Sequence, residues 1–236
     1  MTPPFRYVVR EHRQLNTYAV LKQGRFMPAP KKFTTDQLQI AALALVDEQG
    51  LAGLTMRNLA AALGTGAMTI YNYVDGKEGL ERLVTGAVLA EARWTVEPSG
   101  DWADETRAVA EGMWRAIRSH PHAIPLLLTR RTLDLPTLVT AEALLRALAR
   151  SGRSGADLLI AFRVVTGFIT GFAQAELAGP LSVARDPDPA AITDRVAALP
   201  PDRFAKLIEI ARAAADSDPE EEFRTGLRII LDGLKG

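Results

Sequence analysis

The chain has 236 residues, 47% hydrophobic and 24% charged, with 28 Lys/Arg balanced by 28 Asp/Glu, three His and no Cys. That length suits one large domain or two small ones with buried cores, and the missing thiols exclude disulfides, thiolate catalysis and cysteine-held zinc or iron–sulfur centres. The first 25 residues mix Pro, Arg, His and Asn without an apolar export core, and the longest apolar run, 158–178, is broken by Arg163, Gln174 and Glu176, groups that a span of about 20 residues would rarely carry unpaired. A cytoplasmic protein with no membrane partner is expected.

Net neutrality hides an asymmetry along the chain. Residues 1–90 hold ten Lys/Arg against seven Asp/Glu, and within them residues 1–32 hold seven basic residues (Arg6, Arg10, Arg13, Lys22, Arg25, Lys31, Lys32) against Glu11 alone. This stretch reads as a basic arm able to neutralise phosphates, or as a solvated tail, or as the product of an upstream start codon with the native start at Met27.

Helical signals follow in order. Thr34 and Gln37 stand at the spacing of a capping box, and Leu38, Ala41, Ala42 and Leu45 keep the helical period up to about Gln49, where Gly50 supplies a stop. Thr55 can cap a short helix from Met56 to Leu63, Gly64 turns the chain, and a third helix runs from about Gly66 to Tyr73. Ala60 is small where the two would cross, Gly64 permits a positive φ, and Ile70 fills the gap between them: the pattern of a helix-turn-helix. Asp75-Gly76-Lys77-Glu78 then opens a fourth helix.

The run Leu54-Thr55-Met56-Arg57-Asn58-Leu59-Ala60, then Leu63-Gly64, then Met68-Thr69-Ile70-Tyr71-Asn72-Tyr73-Val74, then Lys77 with Leu80 and Leu83, resembles the DNA-binding segment of the tetracycline-repressor (TetR) family of bacterial regulators. The resemblance covers about residues 34–84. It implies an all-α fold: a basic arm (1–32), a three-helix DNA-binding domain (33–80) and a larger helical domain (81–236) for ligand binding and dimerisation.

In a helix-turn-helix the second helix enters the major groove and the first crosses the backbone. Gly66, Ala67 and Met68 are then expected at base edges. The resemblance assigns phosphate contacts to Thr55, Thr69, Tyr71, Tyr73 and Lys77. Arg57 can reach a guanine, and Asn72 an adenine or a phosphate. Gly66 and Ala67 depart from the family habit of polar residues there, so readout must lean on Arg57, Asn72 and apolar contact with thymine methyls.

Beyond residue 90, Asp101 can cap a helix carrying Trp102, Thr106, Val109, Met113 and Ala116 or Ile117 on one face and ending near His120-Pro121. Thr137 to Arg150 reads as a helix burying Leu138, Ala141, Leu145 and Leu148, and Ser151 to Gly155 as a break. Ala156 to Ala178 is apolar on nearly every side, with Gly167 and Gly171 four apart, and must be covered all round. A polar loop at 179–189 precedes helical segments at 190–199, 202–215 and 220–234, the last carrying Phe223, Leu227, Ile230 and Leu234. The apolar helix and the last one, from each of two chains, are expected to form an isologous four-helix homodimer interface.

A pocket for a small hydrophobic effector is expected among Met113, Trp114, Ile117, His122, Leu126, Phe162, Thr166, Ile169, Thr170 and Gln174. His120 and His122 flank Pro121 at a spacing wrong for two metal ligands on one helical face; the resemblance alone flags them, because a histidine hereabouts meets the inducer's metal in some relatives. No cofactor and no resident metal is expected. No nucleophile–base pair, metal cluster or phosphate loop supports an enzyme. The expected function is a ligand-responsive repressor that binds a palindromic double-stranded operator as a homodimer. An activator, a regulator taking its signal from a protein, and more remotely a helical enzyme with an accessory helix-turn-helix are the alternatives.

Overall fold

The computed structural model describes residues 32–95, 100–129, 133–178, 194–215 and 217–235. Its described residues are helices and turns with no strand. The basic arm up to Lys31 and the expected loop at 179–189 lie outside them.

Helix α1 (Thr35–Gln49) starts where expected: the Thr34 hydroxyl accepts from the Gln37 N–H at 3.2 Å while the Gln37 side chain accepts from the Thr34 N–H at 2.9 Å. Such reciprocal caps are worth about 1 kcal/mol. It ends at Gly50, whose φ of 66° and ψ of −173° lie in a region open almost only to glycine. Helices α2 (Met56–Ala62) and α3 (Ala67–Tyr71) follow a short 3-10 turn at Leu51–Gly53. Helix α4 (Gly76–Ala90) packs on α1 and runs on into contact with α5 (Trp102–Ser119) and α7 (Leu135–Ala149). One continuous helix thus crosses the expected boundary at residue 80.

Asp75 holds the cap position of α4, but its side chain makes no cap bond; only its carbonyl does, to the Gly79 N–H at 3.1 Å. Helix α7 begins at Leu135, two residues before the expected start, because Asp134 is its cap, accepting from the Thr137 N–H at 3.0 Å. Its buried face is Thr140, Leu144, Ala147 and Leu148, whereas the expected Leu138 is exposed and Ala141 and Leu145 are half-buried. Thr140 enters the core because its hydroxyl is spent on the Pro136 carbonyl at 2.8 Å, leaving a methyl to pack.

A second 3-10 turn, Pro121–Ala123, leads from α5 to α6 (Ile124–Thr129). Helix α8 (Gly155–Ala178) passes along α5 and α7 and buries Ala161, Val165, Ile169 and Ala173. Its other side exposes Leu159, Ile160, Val164, Gly167 and Gly171. By length and composition it could cross a membrane, yet it carries Asp157, Arg163 and Glu176 and fits one face into the core.

Helix α9 (Pro201–Ala215) is interrupted at Phe204 and leaves Ile210 exposed. Helix α10 (Pro219–Gly233) packs Phe223, Leu227 and Leu231 against α8 and α5, and Arg224 joins it to Glu111 of α5 at 3.3 Å.

Candidate functional site

The helix-turn-helix is fixed from within, by local bonds and one apolar plug. The Thr55 hydroxyl accepts from the Asn58 N–H at 3.1 Å, and the Asn58 amide donates to the Gly53 carbonyl at 2.9 Å, tying the start of α2 to the turn before it. Gly64 takes φ 61° between α2 and α3, where a side chain would be strained. Ala60, Leu59 and Ile70 are buried at the crossing, and full burial of a side chain the size of Ile70 is worth about 1.5–3 kcal/mol.

What this frame leaves outside is mostly polar. Arg57 on α2, Gly66, Met68, Tyr71 and Asn72 on and around α3, and Lys77 at the start of α4 are exposed, Met68 to 78% and Tyr71 to 54%. Lys77 lies 3.9 Å from Glu81 across one helical turn. Thr55 is exposed with its oxygen used as a cap, and Thr69 is half-buried. Two of the expected contact residues also pack within the unit. Ala67 packs against the core, because α3 is only five residues long and its first turn rests on α2; Met68 is the apolar side chain that projects. Tyr73 is half-buried, its hydroxyl accepting from the Phe33 N–H at 3.1 Å, so its ring braces the N-terminal end of the unit.

Of the expected effector residues, Met113, Trp114, Ile117, Leu126 and Ile169 are buried in one continuous core, with Phe162, Thr166, Thr170 and Gln174 half-buried on α8. The hydroxyls of Thr166 and Thr170 are bonded to the Phe162 and Thr166 carbonyls of their own helix at 2.7 and 2.9 Å. The centre is an aromatic cluster that the sequence did not reveal: Trp114 stacks on Phe223 at 4.6 Å, and Phe168 and Phe172 close around them. The Arg118 guanidinium lies 5.4 Å from the Trp114 ring and pairs with Glu176. The Trp114 indole N–H is buried without an acceptor among the described residues. Two clefts lie elsewhere: one of about 520 Å³ beside Trp102, Arg153 and Asp157, and one of about 370 Å³ between Gln39, Tyr73, Arg82 and Asp134.

His122 does not join the effector residues. It is exposed, with Nδ1 at 3.1 Å and 3.2 Å from the carbonyls of Val46 and Asp47 at the end of α1. His120 also turns away from the core: Nδ1 lies 2.8 Å from Asp47 and Nε2 2.9 Å from Glu91, just past the end of α4. Burial pulls this ring's pKa down, but the bonds and charges of Glu91 and Asp47 outweigh it and hold the value above the usual 6.5. Among the described residues no cluster of three His or carboxylate groups has the arrangement of a metal site. Both histidines lie where the end of α1 meets the chain just after α5.

Two family patterns match the chain: residues 40–82 match the bacterial regulatory proteins of the tetR family, and residues 96–236 the tetracyclin repressor-like C-terminal domain. An HTH-type transcriptional regulator of Saccharopolyspora erythraea is 34% identical over 155 residues, covering 66% of this chain and 64% of that regulator, a little under two thirds of its length. The class A tetracycline repressor protein from transposon 1721 of Escherichia coli is 31% identical over 200 residues, 82% of this chain and 87% of that one. The TetR-family protein ActR of Streptomyces coelicolor, solved in complex with actinorhodin, superposes with a TM-score of 0.70 at 26% identity over 86% of this chain and 96% of its own. With the helix-turn-helix and the helical second domain both matched, this chain belongs to the TetR family of DNA-binding transcriptional regulators.

Proposed function

We propose that the protein is a repressor that binds a palindromic operator as a homodimer in the cytoplasm and is released by a small hydrophobic molecule. The observation that carries this reading is the rigid α2–α3 unit, which buries Ala60 and Ile70 while presenting Arg57, Met68, Tyr71, Asn72 and Lys77 outward. Arg57 and Asn72 have the donor geometry to read bases, Gly66 and Met68 allow close apolar approach, and the hydroxyls of Thr55, Thr69, Tyr71 and Tyr73 with the Lys77 ammonium suit phosphates.

Dimerisation is supported by the outward apolar face of α8, where Leu159, Ile160 and Val164 adjoin Gly167 and Gly171, and by the exposed Ile229 of α10. Neither glycine has an atom within 4 Å of where a Cβ would stand, which leaves room for a second backbone. A two-fold pair of recognition helices then meets successive major grooves about 34–36 Å apart.

The aromatic core around Trp114 is the proposed effector site. A flat, largely apolar molecule bearing an acceptor suits it, since that acceptor would satisfy the buried indole N–H. ActR with its bound actinorhodin, and the tetracycline repressors, support a compound of this type. Such an effector acts only through its different affinity for the two states of the dimer.

The test is fluorescence anisotropy with the DNA upstream of the protein's own gene, at two stated salt concentrations, with and without a panel of polycyclic aromatic compounds. Tight, sequence-preferring binding that one of the compounds releases is expected. Binding with no sequence preference at moderate salt would sink the operator reading, and release by an added protein but by no compound would sink the effector reading.

A further inference from the structure

We propose that His120 is a positioning residue: its doubly protonated ring clasps the DNA-reading unit to the effector domain, so that the setting of the recognition helix depends on a single proton. The clasp follows from the geometry alone, while its effect on operator affinity rests on the DNA-binding reading above.

A neutral imidazole carries one N–H donor and one acceptor nitrogen, and an ionised carboxylate only accepts. Here both ring nitrogens face carboxylate oxygens, Nδ1 to Asp47 at 2.8 Å and Nε2 to Glu91 at 2.9 Å. Only the imidazolium satisfies both. Loss of its proton turns one nitrogen's lone pair against a carboxylate and converts one of the two attractions into repulsion.

The three residues come from three different elements. Asp47 is in the last turn of α1, the first helix of the DNA-reading unit; Glu91 closes α4, which joins that unit to the rest; His120 closes α5 of the effector domain. Both carboxylates stand at helix C-termini, where the negative end of the helix dipole adds to their own charge. The cation between them offsets the repulsion of these two ends. The His120 side chain is 12% exposed while those of Asp47 and Glu91 are 36% and 52% exposed, so solvent screens the contact in part from the carboxylate side.

The other charged groups near this corner are engaged elsewhere or stand apart from the ring. Arg118 in the last turn of α5 pairs with Glu176 of α8, and Arg93 beyond α4 donates to the carbonyls of Ala90 and Ala92. Glu48 of α1 is exposed. His122 needs only one N–H to reach the carbonyls of Val46 and Asp47, so it remains as a weaker tether whatever the state of His120. The charges acting on the ring are those of Asp47 and Glu91, which raise its pKa above 6.5 against the lowering by burial. Because the folded value lies above the unfolded one, the clasp's stabilisation is complete below about pH 6.5 and is lost as pH rises through the folded value.

The experiment follows the three histidine rings of the full chain by NMR from about pH 5.5 to 9, alongside amide exchange of residues 46–50 and 88–92. The variants are His120→Gln, Asp47→Asn and Glu91→Gln. The wild-type ring is expected to titrate above 6.5, each amide substitution to lower that midpoint, and exchange at the two helix ends to rise with the same midpoint, a dependence absent in His120→Gln. Affinity for the DNA upstream of its own gene is expected to fall about five-fold or more across the midpoint, and to stay flat in His120→Gln.

A ring titrating at or below 6.5, or helix-end exchange indifferent to its titration, would overturn the clasp. Sequence-preferring DNA binding that ignores the midpoint would overturn the positioning role. A clasp that titrates as described in a chain showing no sequence preference supports the clasp and removes the operator reading instead. Should His120→Gln fail to fold, Asp47→Asn and Glu91→Gln keep the ring and decide by the direction of its midpoint.

Discussion

Phe33 and Tyr73 are joined twice: the Phe33 N–H donates to the Tyr73 hydroxyl at 3.1 Å, and the two rings meet edge to face with centroids 6.1 Å apart. The residue that follows the basic stretch is thereby fastened to the end of the helix-turn-helix, and Lys32 stands 5.2 Å from the Phe33 ring. Seven basic residues of 1–32 directly precede this contact in the sequence.

Removal of residues 1–31 is therefore expected to weaken DNA binding without changing sequence preference. The salt slope should shrink by about 0.9 for each phosphate that the arm no longer neutralises. Tyr73→Phe keeps the ring and loses the hydroxyl, so stability should fall by about 1 kcal/mol. Anisotropy at several salt concentrations and urea unfolding measure the two effects, and an unchanged slope in the truncated chain would exclude the arm from the interface.

Arg57→Ala and Lys77→Ala separate reading from holding. Loss of a two-pronged donor to guanine costs about 1–3 kcal/mol at one base position and relaxes preference there. Loss of the ammonium should weaken all sequences alike and reduce the salt slope by about one. Binding to a library of randomised sites tells them apart, and an unchanged preference in Arg57→Ala would remove Arg57 from base recognition.

Gly86→Ala is expected to destabilise the seam between the helix-turn-helix unit and the helical second domain. A Cβ at Gly86 would stand 2.5 Å from the Gln39 amide nitrogen and 3.1 Å from an Asp134 carboxylate oxygen. Both atoms end side chains that can shift aside, so the cost is about 1 kcal/mol, the low end for overpacking. Urea unfolding should show the loss, whereas Gly167→Ala, with open space around it, should leave a monomer unchanged and alter only self-association.

Phe223→Ala removes the ring stacked on Trp114 and should cost about 3–5 kcal/mol, read by the same unfolding curves. Trp114→Phe preserves an aromatic ring and deletes the indole N–H. It is expected to retain most stability while weakening, by about ten-fold, the action of any compound that accepts from that group. A compound that releases the wild type and Trp114→Phe from DNA equally well binds elsewhere.

The parts of this molecule that can be read from the chain are those built from neighbours in sequence. Thr34 with Gln37, Thr55 with Asn58, and Gly64 between Ala60 and Ile70 each form over about ten residues or fewer, so their spacing carries their geometry. The face of α7 is misread from sequence because two apolar stripes overlap along it, and packing against α5 selects Thr140 and Leu144 over Leu138. His120 lies 73 residues from Asp47 and 29 from Glu91, and no local pattern announces a contact between helix ends that distant. The aromatic cluster escapes for the same reason, gathering Trp114, Phe168, Phe172 and Phe223 from three helices. Ala67 and Tyr73, expected at DNA by their position, also help to hold the unit together, Tyr73 through a contact to Phe33, 40 residues away, that no local pattern announces.

Helix α4 also has a mechanical meaning. Its 15 residues span about 22 Å at 1.5 Å per residue. A swing of about 10° around its far end carries its first turn through roughly 4 Å, more than the 3.4 Å step between stacked bases along a strand. In the proposed clasp, the corner where Glu91 meets His120 is the fulcrum of that arm. A shift of about 1 Å applied one helical turn from that fulcrum gives a swing of about this size, and so a misalignment of about one base pair at the other end.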